Sequence, residues 1–318
     1  MNKNKKTFFI VEIVLLLVAL FFVWKIFDQD EKVKRVAVVL SEAGDKRWDS
    51  LLKGMKQAAK VNGIHLIICN TDEIDNAESE EEVISEQKNN NIDAFVVWPA
   101  PGKDTKEMLK KASEKAPIIL IGEDLYKENK SQSSDFSVIE PNYYQIGASF
   151  GNQLIEKSQT VGIIASWEES QASTDAICGI MDTLKNSKSQ IRWCCYRNQE
   201  QDIFSYIKGE ERVDAIIILD PRTLDEIGEQ VENGRYCGAK IYGVGSSMES
   251  IALQDYGRIK GLIVLDGYTI GYKSVEEISK KLNHKSYKMQ SHETTKKIFT
   301  SNKKVLNDDI ERFLYSYE

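Results

Sequence analysis

The chain has 318 residues, 42% of them hydrophobic, with five prolines. That supplies enough apolar material for two α/β lobes of ordinary size and excludes a disordered chain. The formal net charge is −7; residues 1–27 are net basic, so the remainder is more acidic still and repels phosphate backbones, which argues against nucleic-acid binding.

Residues 7–27 form an apolar stretch of about 30 Å at ~1.5 Å per residue, the thickness of a bilayer core. The sequence therefore predicts a transmembrane anchor at 7–27. The basic flank NKNKK places residues 1–6 in the cytoplasm and everything after the helix outside the cell, as a single-pass cell-membrane protein. Glu12 lies near the cytoplasmic end, where a carboxylate can snorkel. A cleaved signal peptide is the alternative, but no small-x-small site follows the run. Residues 28–35 are a charged linker.

From residue 36 strands and helices alternate. Strand 36–40 (VAVVL) precedes a helix-period segment at 48–62 and a strand at 64–69. The run ESEEE at 78–82 reads as the solvated start of a helix. Strand 93–99, helix 104–115, strand 117–123, a polar loop at 124–134, strand 136–140 and helix 143–157 follow. A second set opens at 160–166 and continues with helix 172–186, strand 191–197, helix 201–208, strand 213–220, helix 223–232, strand 240–245, helix 247–255, strand 260–266 and helix 268–282. The tail, 283–318, holds a short strand at 297–301 and an amphipathic helix with Asp308 and Asp309 in its first turn. Strands without polar alternation, each followed by a helix, mean parallel sheets covered on both faces. About ten strands are too many for one such sheet, so two similar halves starting at Val36 and Thr160 are expected. Ligands of open parallel sheets bind beyond the carboxyl ends of the strands.

Several segments carry a family resemblance through their order and spacing: VAVVLS, IDAFVVWPA, PIILIGEDL, EPNYYQIGASFGNQLI, VDAIIILDPRTLDEIGEQV, KIYGVGSS and GLIVLDGYTIG. Over residues 35–302 the chain resembles the sugar-binding type 1 periplasmic binding proteins, the ribose-binding protein and its relatives. The resemblance implies two Rossmann-like, doubly wound parallel-sheet lobes joined by three crossings, near 140, 265 and 292. It implies an N-terminal lobe of 36–140 plus 266–292 and a C-terminal lobe of 141–265 plus 293–318, closing around a ligand by a hinge.

The resemblance also directs attention to particular strand ends. Asp45, Arg47 and Trp48 follow the first strand. Trp48 matches a family position for a ring that stacks on a sugar face, and Arg47 replaces a second such ring. Trp98 follows the third strand and either lines the cleft or caps the sheet. Glu123 and Asp124 follow the fourth, where relatives carry an Asp-Arg pair for hydroxyls. Glu140 and Asn142 stand at the first crossing. In the second half Trp167 follows its strand, Thr174 or Asp175 stands where many relatives place an Arg, and Asp220 with Arg222 follows the strand at 213–220. Gly245 replaces a ligand-binding Asp, and Asp266 marks the third crossing. The two departures, at Thr174 or Asp175 and at Gly245, argue against ribose itself. The excess of acids over Arg47 and Arg222 suits a polyol, an amino sugar or a cation better than a sugar phosphate.

Enzyme chemistry finds no support. His65, His284 and His292 show no metal or general-base spacing, no GxSxG elbow is present, and GVG at 243–245 lacks the third glycine of a dinucleotide fingerprint. No cofactor and no metal are expected. Cys69, Cys178, Cys194, Cys195 and Cys237 form no CxxC and read as small buried hydrophobes. The expected function is solute binding, with a monosaccharide or polyol delivered to an ABC permease. One alternative is a sensing subunit that presents sugar to a histidine kinase, and another is a degenerate interaction module.

Overall fold

Runs such as AIII at Ala215–Ile218 hide their side chains only in a sheet covered on both faces, and the chain builds two such sheets. A computed structural model describes residues 3–27, 33–127, 134–155, 158–197, 202–245 and 247–300. Helix α1 (Lys3–Phe27) comes first. Then come β1 (Lys34–Val39), α2 (Asp49–Asn62), β2 (Ile64–Ile68), α3 (Ala77–Lys88), β3 (Ala94–Val97), α4 (Thr105–Ser113), β4 (Ile118–Ile121) and β5 (Val138–Pro141). The second half holds α5 (Tyr143–Leu154), β6 (Thr160–Ala165), α6 (Gln171–Leu184), β7 (Gln190–Tyr196), α7 (Ile203–Gly209), β8 (Ala215–Ile218), α8 (Pro221–Glu229), β9 (Lys240–Gly245), α9 (Met248–Asp255) and β10 (Ile259–Leu265). It is followed by α10 (Gly267–Asn283), β11 (His292–Thr294) and β12 (Lys296–Thr300).

The first sheet has the order β11-β5-β4-β3-β1-β2 and the second β12-β10-β9-β8-β6-β7, the same winding used twice. The registered pairs are parallel except β10 with β12. Alternate residues of each strand feed opposite layers, as the pleat requires. Val36 and Val38 pack with α2 and α10, while Ala37 and Val39 pack with α3 and α4. In the second sheet Ile163 and Ile217 face α5 and α6, while Ile164, Ile216 and Ile218 face α7, α8 and α9. The chain passes between the sheets after β5, after β10 and between β11 and β12. The carboxyl ends of both sets of strands therefore meet at one cleft.

Three expectations need correction. The membrane-crossing anchor does not hold: among the described residues no helix is long and apolar enough to cross a membrane. α1 carries Lys5, Lys6, Glu12 and Lys25, and its uncharged stretch, 13–24, rises about 18 Å against the ~30 Å of a bilayer core. The topology built on that anchor, with a cytoplasmic N-terminus and an outside C-terminal domain, falls with it. Second, the ESEEE run is not wholly solvated, because Glu80 is fully buried. Third, only Cys69 and Cys195 of the five free cysteines are buried; Cys194 and Cys237 are exposed. The expected tail helix at Asp308 and Asp309, linker residues 28–32 and the middle of the 124–134 loop lie outside the described residues.

α5 and α6 pack backbone to backbone, and a Cβ built on Gly147 would stand 1.9 Å from the Ala176 carbonyl oxygen. Because a main-chain atom cannot swing aside, Gly147→Ala should cost about 1–3 kcal/mol. A lowered urea midpoint at unchanged slope is the expected result, and an unchanged midpoint would contradict the packing described.

Candidate functional site

A cavity of about 640 Å³ lies between the two sets of strand ends. Its floor is aromatic. The Trp48 and Trp98 ring centroids are 4.9 Å apart, tilted at 59°. Trp48 is only 8% exposed; its Nε1–H donates to the Ser41 carbonyl (3.0 Å) and the Arg47 guanidinium stands 4.9 Å from its ring centroid. Trp98 is half-buried, so it is Trp98 that offers ring surface to the cavity, with Trp48 as its support. The backbone makes room for it at Gly122 (φ +79), where a Cβ would fall 2.2 Å from the Trp98 ring.

From the edge of the floor, at Arg47, runs a ladder of alternating charge that crosses from one lobe to the other. Arg47 Nη2 meets Glu42 at 3.0 Å, and Glu42 meets Arg222 Nη1 at 2.9 Å. Arg222 Nε meets Glu226 at 3.3 Å; Arg197 stands 3.9 Å from Glu226 and 3.4 Å from Asp220. Glu73 adds a further carboxylate 4.0 Å from Arg222 and Asp45 another 3.7 Å from Arg47, so carboxylates outnumber the three guanidiniums along the wall.

A second tie between the lobes rests on Glu123. Ser170 Oγ donates to its Oε2 at 2.6 Å, the Ala172 N–H donates to the same oxygen at 3.2 Å, and Trp98 Nε1–H donates to Oε1 at 3.3 Å. Glu123, at the end of β4, therefore caps the first turn of α6 in the other lobe and orients the aromatic floor at the same time. Burial raises its carboxyl pKa, and the three hydrogen bonds pull it back. Burial, then Glu123 and Glu140, push the Tyr143 phenol well up.

Of the residues singled out from the sequence, the structure brings Arg47, Trp48, Trp98, Glu123, Trp167, Asp220 and Arg222 to the cavity. The others stand behind it. Asp45, Asn142 and Asp266 are helix N-caps, accepting from Arg47 N–H (2.8 Å), Gln145 N–H (2.9 Å) and Thr269 N–H (3.0 Å). Asp124 is buried and accepts from Ser134 Oγ (2.7 Å), and Glu140 accepts from the Asp124 N–H (3.0 Å). Thr174 Oγ1 donates back to the Ser170 carbonyl at 2.9 Å. A Cβ on Gly245 would meet Ser250 Oγ at 2.4 Å, so this turn has no space for the Asp of the resemblance. Arg197, Ser166, Tyr143, Ser170 and Glu226 line the cavity without having been singled out. Ser166 and Arg197 directly follow β6 and β7, where strand-end reasoning would have found them.

Glu80 supports the rim from below. Its Oε1 accepts the Ala100 N–H at 3.1 Å and its Oε2 is buried without a hydrogen-bond partner. Burial pushes its carboxyl up to about 8, so it is neutral at neutral pH. Among the described residues no group of three or more His, Cys, Asp or Glu side chains is placed to hold a metal ion.

The periplasmic binding protein domain family matches residues 36–286. No curated protein sequence matches the chain. Among solved structures, a glucose-galactose binding protein, GanP, from Geobacillus stearothermophilus is 18% identical, with 86% of this chain and 99% of that one covered and a TM-score of 0.72. A carbohydrate transporter solute binding protein from Agrobacterium radiobacter in complex with D-arabinose is 17% identical, covers 89% and 99%, and has a TM-score of 0.76. The XylFII-LytSN complex contains a chain 13% identical, with 85% and 98% covered and a TM-score of 0.70. At these identities the likeness is one of fold.

Two predictions follow from the geometry. The Glu42–Arg222 pair is partly exposed and of the order of 0.5 kcal/mol, whereas Glu123 has three hydrogen bonds to lose. Without added ligand, Glu123→Ala should therefore raise the radius of gyration in X-ray scattering more than Arg222→Gln; the reverse order would contradict the ranking. The second concerns pH. The folded pKa of Glu80 lies above its ordinary value of 4.5, so the fold holds this proton more tightly than the unfolded chain does. Its contribution is complete below about pH 4.5, shrinks as pH rises and is gone above about 8. Glu80→Gln should flatten the fall in melting temperature across that window, and an unchanged slope would contradict a buried neutral acid.

Proposed function

The chain belongs to the periplasmic binding protein domain family, a family of binding proteins and not of enzymes, and on that premise we propose that it closes on a small neutral sugar or polyol and delivers it to an ABC permease. The observation that carries this reading is the pairing, in one cavity, of the half-buried Trp98 ring with the ladder of Arg197, Arg222, Glu42, Glu226 and Asp220. The CH face of a sugar buries apolar area on an indole, while its hydroxyls accept from guanidinium donors and donate to carboxylates. Because carboxylates outnumber guanidiniums along this wall, a phosphate would bring further negative charge into a half-buried site that is already acidic. The wall thus disfavours a sugar phosphate, and the amino sugar that the acidic strand ends suggested stands as the rival ligand class in the test below. Trp98 supplies the stacking face, Trp48 holds it, and Asp220 with Arg197 and Arg222 holds hydroxyls.

A second reading, a sensing subunit that presents its ligand state to a kinase, has one specific support: a chain of this fold occurs in the XylFII-LytSN complex. Co-purification of the full chain separates the two. Recovery of a permease and its ATPase supports delivery, and recovery of a kinase supports sensing.

A thermal-shift series of neutral monosaccharides and polyols against their phosphates and amino analogues tests the ligand class. A ligand at 100 times its dissociation constant should stabilise the protein by ~2.7 kcal/mol. Trp98→Ala should weaken the best ligand about tenfold, the equivalent of ~1.4 kcal/mol. A shift only with phosphates or amines would overturn the neutral-sugar assignment, and no shift with any compound would favour a degenerate interaction module.

A further inference from the structure

Beside the cleft lies a second cavity of about 480 Å³. Pro101, Trp167 and Arg197 line both cavities, so these three residues form the partition between them. The side cavity alone falls within the ≈ 300–1,000 Å³ of ordinary small-molecule sites. Tyr196, at the end of β7, and Tyr206, in α7, line its far part, and both are half-buried. The partition is built of groups that suit a sugar. Trp167 borders both spaces. The Arg197 guanidinium has five N–H donors, and among the described residues its one side-chain hydrogen bond is from Nη1 to Asp220 at 3.4 Å, with Glu226 a further 3.9 Å ion-pair partner. Most of its donors remain for hydroxyls on either side. The carboxylate of Glu168, which is exposed, supplies an acceptor at the outer rim.

We propose that the side cavity is a second sugar subsite and that the ligand is a disaccharide or other glycoside. One ring stacks on Trp98 in the cleft, the second ring lies against Tyr196 and Tyr206, and the linkage passes beside Trp167 and Arg197. The inference rests on the reading of the cleft as a sugar site and extends it from one ring to two. It also accounts for the strand-end Arg197 facing a second chamber as well as the ladder, where a site for a single ring needs one wall only.

The test compares each monosaccharide with its dimer by isothermal titration calorimetry on the full chain: glucose with cellobiose and maltose, galactose with lactose, xylose with xylobiose. Cys194 and Glu168 line the side cavity and not the cleft, and both are exposed, so Cys194→Trp and Glu168→Trp fill the chamber from residues outside the core. At least one disaccharide should bind about tenfold or more tightly than its monosaccharide. Each filling variant should remove that gain while leaving the monosaccharide constant within about twofold of the parent, a change under ~0.5 kcal/mol. Equal affinity for every pair, or a gain that survives both substitutions, would overturn the second subsite and leave the single-ring reading standing. Failure of every saccharide to bind would overturn both.

Discussion

A carboxylate that leaves water must find donors, and Glu123 finds them in the opposite lobe. Its partners are the Ser170 hydroxyl and the Ala172 N–H at the start of α6, with the Trp98 indole completing the set. A helix N-terminus has unsatisfied N–H groups and a positive dipole end, so a carboxylate from another element is a natural partner. The consequence is a mechanical coupling. The residue that orients the aromatic floor is also one of those that tie the lobes together, and the floor is in register with α6 only while the lobes are in contact. Gly122 is part of the device, because the Trp98 ring lies where any Cβ at 122 would stand.

The charge ladder is the second constraint. Arg47, Glu42, Arg222, Glu226, Arg197 and Asp220 are paired in sequence, and Arg222 crosses between lobes to Glu42 at 2.9 Å and to Glu73 at 4.0 Å. Each exposed pair contributes little stability alone. Their joint effect is on specificity, because a ligand that exchanges hydroxyl hydrogen bonds with the ladder adds no charge to it, whereas an anionic ligand adds to its excess of carboxylates. Polar groups of this kind set which molecule is accepted more than how tightly the lobes adhere.

The fold was legible because strands such as AIII and AFVV have no polar alternation and each is followed by a helix with one apolar face. The two-lobe winding follows from that repeat. The site was half legible, for a physical reason. In a βα unit the position just after the strand is also the position just before the helix. Ligand binding asks for Asp, Asn or Ser there, and so does N-capping. Asp45, Asn142 and Asp266 answer the second demand, and Asp220 answers both, accepting from the Thr223 N–H at 2.8 Å while lining the cavity. Sequence cannot separate the two uses. Arg197 ends a strand whose neighbours, two cysteines and a tyrosine, drew attention to packing instead. Glu80 was hidden in a run of acids whose composition spoke for solvent; only the tertiary contact with Ala100 singles it out. The N-terminal apolar run misled because its total length counts residues on both sides of Glu12 as one uninterrupted span.

The most direct test of the central claim is a crystal structure of the protein at saturating concentration of the saccharide that stabilises it most. The expected result is a sugar ring stacked on Trp98, hydroxyls on Asp220 and on Arg197 or Arg222, and the Glu123–Ser170 contact intact behind it. A sugar bound away from Trp98, or an unoccupied cleft with the ligand elsewhere on the surface, would contradict it.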